Sequence, residues 1–196
     1  MKQQLKSTLA LSAGVLAVVG IALAPTAGAA DTTTVTATVA KVASVASTTS
    51  PVTLNITPTA AGSYTSASDT VTAGTNSAAG YDLQISAATP ALTRGGGGTI
   101  AASSGTPGSP VTLANNTWGY RVDNQEGFGA GPYSGQTNQA SLTNTWAGVT
   151  VTPTQIKTTA VPASADTTTV WFGAAADLTK TDGNYVTTVT YTAIAN

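Results

Sequence analysis

Acidic side chains in two loops are the first candidates for chemistry in this 196-residue chain, which contains no His and no Cys. The missing residue types exclude His-dependent triads, thiol nucleophiles and metal sites built on nitrogen or sulfur. Asp123 and Glu126 lie close together in one glycine-rich loop, and Asp177 and Asp182 share another. Carboxylates suit Ca²⁺, but neither loop fits the D-x-[DN]-x-[DN]-G pattern, and a solvated loop that caps its own turns is the alternative. No S-x-x-K or G-x-S-x-G motif is present. The sequence therefore predicts no enzyme, no catalytic or cofactor-binding residue and no metal ligand, and it leaves Ca²⁺ binding open.

A cluster of aromatic residues is the second candidate for a site. Within thirty residues the chain places Trp118, Tyr120, Phe128, Tyr133 and Trp146 around a loop rich in glycine and amides. Such rings, flanked by Asn and Gln, could stack on sugar rings and bind their hydroxyl groups. The alternative is burial, because Trp118 and Tyr120 alternate on one strand and large aromatic residues in sandwiches face the core. Phe128 and Tyr133, in the loop, are the stronger candidates for an exposed contact with a ligand or partner, and Trp118 and Trp146 complete the set.

The sequence predicts β-strands as the elements that position these residues. Apolar and polar residues alternate with a period of two, which is the geometry of a strand with one buried face. No stretch after the first thirty residues combines helical spacing with caps, and eight to ten strands are expected. The sets predicted to share one face are Val35, Ala37 and Val39; Val52, Leu54 and Ile56; Tyr81, Leu83 and Ile85; and Tyr185, Thr187, Val189 and Tyr191.

Glycine and proline mark the connections between the predicted strands. The stretch from Thr93 to Leu113 contains four consecutive glycines and two prolines, and it predicts a flexible connection, with a domain boundary as the alternative. Neither half has enough strands for a convincing sandwich, which favours one domain over residues 31–196. Asp182-Gly183 is a turn signal that predicts a closing hairpin between the run ending near Ala176 and the last strand.

The first thirty residues differ in composition from the rest. Lys2 and Lys6 precede an apolar run from Leu9 to Ala24, and small residues follow Pro25. This order predicts a signal peptide over residues 1–30, cleaved after Ala29 or Ala30, and hence a secreted protein at the cell surface. A retained membrane anchor is the alternative, although the run is shorter than the roughly 20 residues of a spanning helix.

The net charge of the mature chain and the scarcity of charges in its first segment predict which classes of partner it binds. Loss of Lys2 and Lys6 leaves five of the seven basic residues against eight acidic ones, which argues against nucleic acid and anionic membrane surfaces. Lys41 is the only charge between Thr32 and Ser50, so this terminal segment lacks the charges that blunt sheet edges. We expect it either to pair inside the fold or to add to a neighbouring subunit. The expected partners are copies of the chain or other surface proteins, with a glycan or the cell wall as the alternative, and any membrane contact would come through an uncleaved signal segment.

Several phrases together resemble a class of known proteins. "TNSAAGYDLQISA", "NTWGYRV" and "VWFGAAADLTKTDGNYVTTVTYTA" are similar to small secreted β-sandwich proteins on the surfaces of Saccharibacteria and related bacteria. The ending is also similar to the closing hairpins of WxL-type cell-wall domains and of spore-coat-U and other fimbrial proteins, without the cysteines of the latter or the Trp-x-Leu motif of the former. The resemblance implies an immunoglobulin-like surface protein, structural or adhesive, with no catalytic residues. The sequence thus predicts an all-β fold, a single immunoglobulin-like antiparallel β-sandwich, that serves as a filament, pilus or coat subunit, with a carbohydrate- or wall-binding module as the alternative.

Overall fold

The computed structural model describes residues 33–129 and 144–196, and the predicted signal peptide lies outside these ranges. The chain divides into a unit ending at Thr38 and a unit from Val39 to Asn196, and the sheets belong to the second. A short 3₁₀ helix spans Glu126–Phe128. The ten strands are β1 (Ala43–Ser47), β2 (Ser63–Thr75), β3 (Tyr81–Ala87), β4 (Leu92–Arg94), β5 (Thr99–Ala102), β6 (Thr117–Arg121), β7 (Thr154–Thr158), β8 (Ala163–Ala176), β9 (Tyr185–Val186) and β10 (Val189–Ala195).

The strands form two sheets, so the all-β prediction is confirmed. A seven-stranded sheet has the order β1-β2-β8-β6-β5-β4-β9 and curls into a half-barrel, and a three-stranded sheet has the order β10-β3-β7. Every strand pair is antiparallel except β5 with β6, which run parallel. Within residues 33–129 and 144–196 no helix has the length and apolarity that a membrane crossing requires.

The core lies between the two sheets and follows the predicted alternation. Tyr81, Leu83 and Ile85 on β3 are all 1% exposed or less, and residues between them on the strand are half-buried. Valines and aromatic residues of β2, β6 and β8 meet them from the other sheet. A smaller cluster forms around Trp146 and Tyr64, whose rings lie 5.7 Å apart. Burial of alternate side chains on both sheets therefore holds the sheets together.

The predicted closing hairpin is wrong. β8 pairs with β2 along one edge and with β6 along the other. Neither edge of β8 is therefore left for a hairpin with the strand that follows Asp182. The loop that contains Asp182-Gly183 instead carries the chain to β9, which pairs with β4, and then to β10, which pairs with β3. Gly183 has the positive φ expected at such a turn, 134°, but the turn leads to β9 at the far edge of the same sheet, and the chain crosses to the three-stranded sheet only between β9 and β10.

The glycine run, which the sequence predicted to be part of a flexible connection, forms the turn between two short strands. The Arg94 N–H donates to the Gly98 carbonyl, closing a hairpin between β4 and β5. Gly96, Gly97 and Gly98 have φ of 125°, 96° and 97°. Residues with a Cβ rarely adopt such angles, so the turn requires glycine at these positions.

Two stretches predicted as strands differ from ordinary strands. Of the predicted strand from Thr32 to Ser47 the structure describes residues 33–47, in which only β1 is a strand and every residue is exposed. Residues 51–58 are extended, and Val52, Leu54 and Ile56 face the core as predicted. However, no hydrogen bond joins the backbone of residues 51–56 to any other segment that the structure describes. The predicted alternation of inward and outward side chains is therefore correct in this segment, but the backbone hydrogen bonds expected of a paired strand are missing.

Candidate functional site

The main candidate site is a groove of about 780 Å³ on the inner face of the curled sheet, called the groove below. One wall is the extended segment 49–58, and the other comprises parts of the stretch from Lys180 to Tyr191. The alternate apolar side chains of segment 49–58 point inward, which explains why this wall is apolar. Four strands of the sheet, β4, β5, β6 and β8, contribute the floor, which consists of Leu92, Ile100, Trp118, Phe172, Ala174 and Ala176.

The largest side chain of the floor, Trp118, has partners at both its edge and its face. The Trp118 indole Nε1 donates a 2.8 Å hydrogen bond to the Pro90 carbonyl, which fixes the ring at its polar edge. Its face stacks on Phe172 with the ring centroids 6.4 Å apart and an angle of 26° between the planes. Trp118 is only 2% exposed, so it supports the base of the groove rather than offering a ring at the surface.

One end of the groove carries a buried carboxylate. Asp69 on β2 is 2% exposed. Its Oδ2 accepts a 2.6 Å hydrogen bond from the Ser47 hydroxyl, and its Oδ1 accepts a 2.9 Å hydrogen bond from the Thr49 N–H. Burial raises the pKa of the Tyr191 hydroxyl, and the nearby Asp69 carboxylate raises it further. Asp69 thus has hydrogen-bond donors, but no described basic side chain lies within 4.0 Å of it.

The opposite end of the groove is more polar. It lies near an isolated β-bridge, a single backbone pairing between Thr59 and Asp177, and it includes Lys180 and Asp182. The Lys180 ammonium donates a 2.6 Å hydrogen bond to the Thr99 carbonyl, which attaches this loop to β5. The groove therefore has an apolar middle, an end with the buried Asp69 carboxylate and an end with charges of both signs.

The predicted aromatic site is not an open platform in the part of the chain that the structure describes. Trp118, Tyr120, Phe128 and Trp146 are 2%, 0%, 5% and 0% exposed. Phe128 packs edge-on against Tyr120 with the centroids 5.7 Å apart. Tyr133 lies outside the described residues. Of these residues only Trp118 borders the groove, and it does so from the floor.

The two acidic loops have structural roles. Asp123 pairs with Arg121 at 2.6 Å. Asp177 accepts hydrogen bonds from the Thr179 side chain, from Asn116 and from the Thr179 backbone, and these lower the pKa of its carboxyl group. Within residues 33–129 and 144–196, no three acidic side chains come together in a way that could hold a metal ion.

Sequence reasoning did not identify Asp69 or Tyr191 as site residues, and of the floor of the groove it named only Trp118. Asp69 interrupts a run of Ser, Thr and Ala that has no other charge from Ser63 to Thr75, and this isolated charge was the available signal. Tyr191 was correctly placed on the inward face of the last strand, but its neighbours could not be read from the sequence. Comparison of the chain with family models, curated proteins and solved structures finds no match.

Proposed function

We propose that this chain is a secreted, non-enzymatic surface protein, a structural or adhesive subunit that assembles with copies of itself through its N-terminal segment. The observation that carries the proposal is a set of valines along that segment. Val35, Val39 and Val42 are 88%, 82% and 58% exposed. Full burial of a valine side chain is worth roughly 1.5–3 kcal/mol, so covering these residues would stabilise an assembly substantially.

The edge that follows this segment supports the same proposal. β1 pairs with β2 along one side only, and all five of its residues are exposed. The segment before it contains Lys41 as its single charge. Uncharged, alternating edges are the ones that pair with further strands, whereas natural monomers blunt such edges with Lys, Pro or bulges.

The proposal includes a finer description of the fold. We propose that the body is an immunoglobulin-like sandwich, which the two sheets and their common apolar core support. The parallel β5–β6 pair and the curled sheet are departures from a regular antiparallel sandwich. The alternative function, a carbohydrate- or wall-binding module that uses the loop aromatic residues between Trp118 and Trp146, has less support because Trp118, Phe128 and Trp146 are buried.

Assembly is tested on the purified mature chain by light scattering and negative-stain imaging over a range of concentrations. We expect the wild-type chain to form particles larger than one subunit. Replacing Val35 and Val39 by Asp should abolish them, because an assembled strand would bury two charges. The matched control replaces Thr36 and Thr38 by Asp, which lie on the other face of the same segment and should weaken assembly much less. A wild-type chain that stays monomeric at every concentration would refute the proposal.

A further inference from the structure

We propose that the groove is the acceptor site for residues 33–42 of a second copy, and that Lys41 of that copy pairs with Asp69. This inference rests on the proposed self-assembly and adds its register and its electrostatic determinant. The groove is bordered by an extended segment whose backbone from residue 51 to residue 56 has no hydrogen-bond partner among the described residues. Such a backbone can form a ladder with one more strand.

The pattern of residues 33–42 matches the shape of the groove. Val35, Ala37 and Val39 alternate with threonines, as Val52, Leu54 and Ile56 alternate with polar residues in the wall. A strand with this pattern places its apolar side chains over the floor formed by Leu92, Ile100 and Phe172 and its threonines toward solvent. At about 3.3 Å per residue, the stretch from Val35 to Lys41 has the same length as the wall from Val52 to Pro58.

Charge fixes the direction of the incoming strand. Lys41 follows Val35, Ala37 and Val39 at intervals of two residues, so in an extended strand its side chain lies on the same, inward face. Asp69 is a buried carboxylate that accepts hydrogen bonds but has no basic side chain within 4.0 Å among the described residues, and buried carboxylates rarely lack a cation. Lys41 therefore belongs at the Asp69 end, beside Thr49, which makes the incoming strand antiparallel to segment 51–56. Among the described residues of its own chain, the Lys41 side chain donates one hydrogen bond, to the exposed carbonyl of Asn196, so the side chain is available.

A charge-exchange experiment tests the pairing. Lys41→Asp alone and Asp69→Lys alone each place like charges together, and we expect each variant to need at least about tenfold higher concentration to assemble. An equimolar mixture of the two should recover assembly, because each chain then carries the partner that the other lacks. If both single variants assemble as wild type does, or if the mixture does not recover although both are folded by circular dichroism, the proposed pairing is wrong.

Asp69→Asn keeps the experiment informative if Asp69→Lys does not fold. The side-chain amide oxygen can still accept a hydrogen bond from the Ser47 hydroxyl or the Thr49 N–H, so the fold should persist while assembly weakens. If Asp69→Asn chains assemble at the wild-type concentration, the pairing is refuted.

A zero-length carbodiimide cross-link locates the contact directly. We expect an amide between the Lys41 amine and the Asp69 carboxyl group, and mass spectrometry of mixed ¹⁴N and ¹⁵N chains should place it between two copies. A cross-link from Lys41 to Asp182 would overturn the direction. A monomeric protein whose groove binds a free alkylamine through Asp69 would identify a small-molecule site and overturn both this inference and the proposed function. Assembly without any dependence on residue 41 or 69 would overturn this inference alone.

Discussion

Arg121 is a charged side chain that the fold has buried almost completely, with 3% of its surface exposed. Its guanidinium pairs with Asp123 at 2.6 Å and donates to the Phe128 carbonyl at 2.9 Å and to the Asn144 side-chain oxygen at 3.3 Å. Phe128 and Asn144 are distant in sequence, so one side chain connects two separate described segments to β6. The planar fork of five N–H donors suits arginine to this task.

Replacing Arg121 by Met should therefore lower the free energy of unfolding by roughly 3–5 kcal/mol, because it leaves a carboxylate and a buried carbonyl without their cation. Urea denaturation followed by tryptophan fluorescence measures the change. The matched control is Arg94→Met, since Arg94 donates only to the exposed carbonyls of Gly97 and Asp182. We expect that substitution to cost about 1 kcal/mol or less. Equal losses for the two variants would contradict the role given to Arg121.

At the level of elements, the glycine turn between β4 and β5 shows how backbone conformation determines residue choice. Gly96 has a φ of 125°, yet an added Cβ would meet no atom within 4 Å. Neighbouring Gly95 has equally open surroundings and no positive φ in this range. The two positions therefore differ in backbone strain and not in packing.

Gly96→Ala should destabilise the protein by about 1–3 kcal/mol, the usual cost of holding a residue with a Cβ in such a conformation. Gly95→Ala should be neutral or stabilising by up to about 1 kcal/mol, because alanine reduces the conformational freedom of the unfolded chain. Paired thermal and urea unfolding curves check both values. If the two alanine variants have the same stability, strain in this turn is not the reason for its glycines.

The elements also explain which predictions from the sequence succeeded. Tyr81, Leu83 and Ile85 were placed correctly because a period of two is a local property of a strand with one buried face. The closing hairpin failed because strand pairing is a non-local choice, and β8 already had partners on both edges. Residues 51–58 show both effects. The alternation of apolar and polar residues correctly predicted which side chains face the core, but it could not show that the backbone of residues 51–56 pairs with no other strand that the structure describes.

At the level of the whole molecule, the groove could not have been inferred from any single stretch. Asp69, Trp118 and Tyr191 come from three distant parts of the chain, and only the curl of the large sheet brings them to one cavity. The exposed valines of residues 33–42 were visible in the sequence as an alternating pattern. The structure adds that these side chains are exposed, which the alternating pattern alone did not predict.

A polar cluster links the two sheets. The Tyr81 hydroxyl on β3 donates a 2.8 Å hydrogen bond to Asp166 on β8, and the Lys157 ammonium on β7 contacts the same carboxylate at 2.7 Å. Burial raises the pKa of Tyr81, and the hydrogen bond to Asp166 and its negative charge raise it further. Burial also acts to raise the pKa of Asp166, but the hydrogen bonds from Lys157 and Tyr81 and the charge of Lys157 outweigh it and lower the pKa.

These shifts make stability depend on pH at the alkaline end. Because the folded pKa of Tyr81 is raised, the unfolded chain releases the phenol proton first, above about pH 10. The unfolded state then binds fewer protons than the folded state, so the free energy of unfolding falls as pH rises from there through the folded pKa. Tyr191 contributes in the same direction, since its pKa is also raised. Each group adds at most about 1.4 kcal/mol per pH unit to the slope.

Tyr81→Phe should reduce this alkaline slope, because phenylalanine has no proton to lose. Below about pH 10 the variant should be less stable than wild type by roughly 0.5–1.5 kcal/mol, the typical loss of one hydrogen bond, and the difference should shrink as pH rises further. Urea midpoints measured on both sides of that pH give the two slopes, and Tyr191→Phe provides an independent comparison at the groove. If Tyr81→Phe and wild type lose stability in parallel above that pH, Tyr81 does not stay protonated in the folded protein, and the link between the sheets is weaker than its geometry implies.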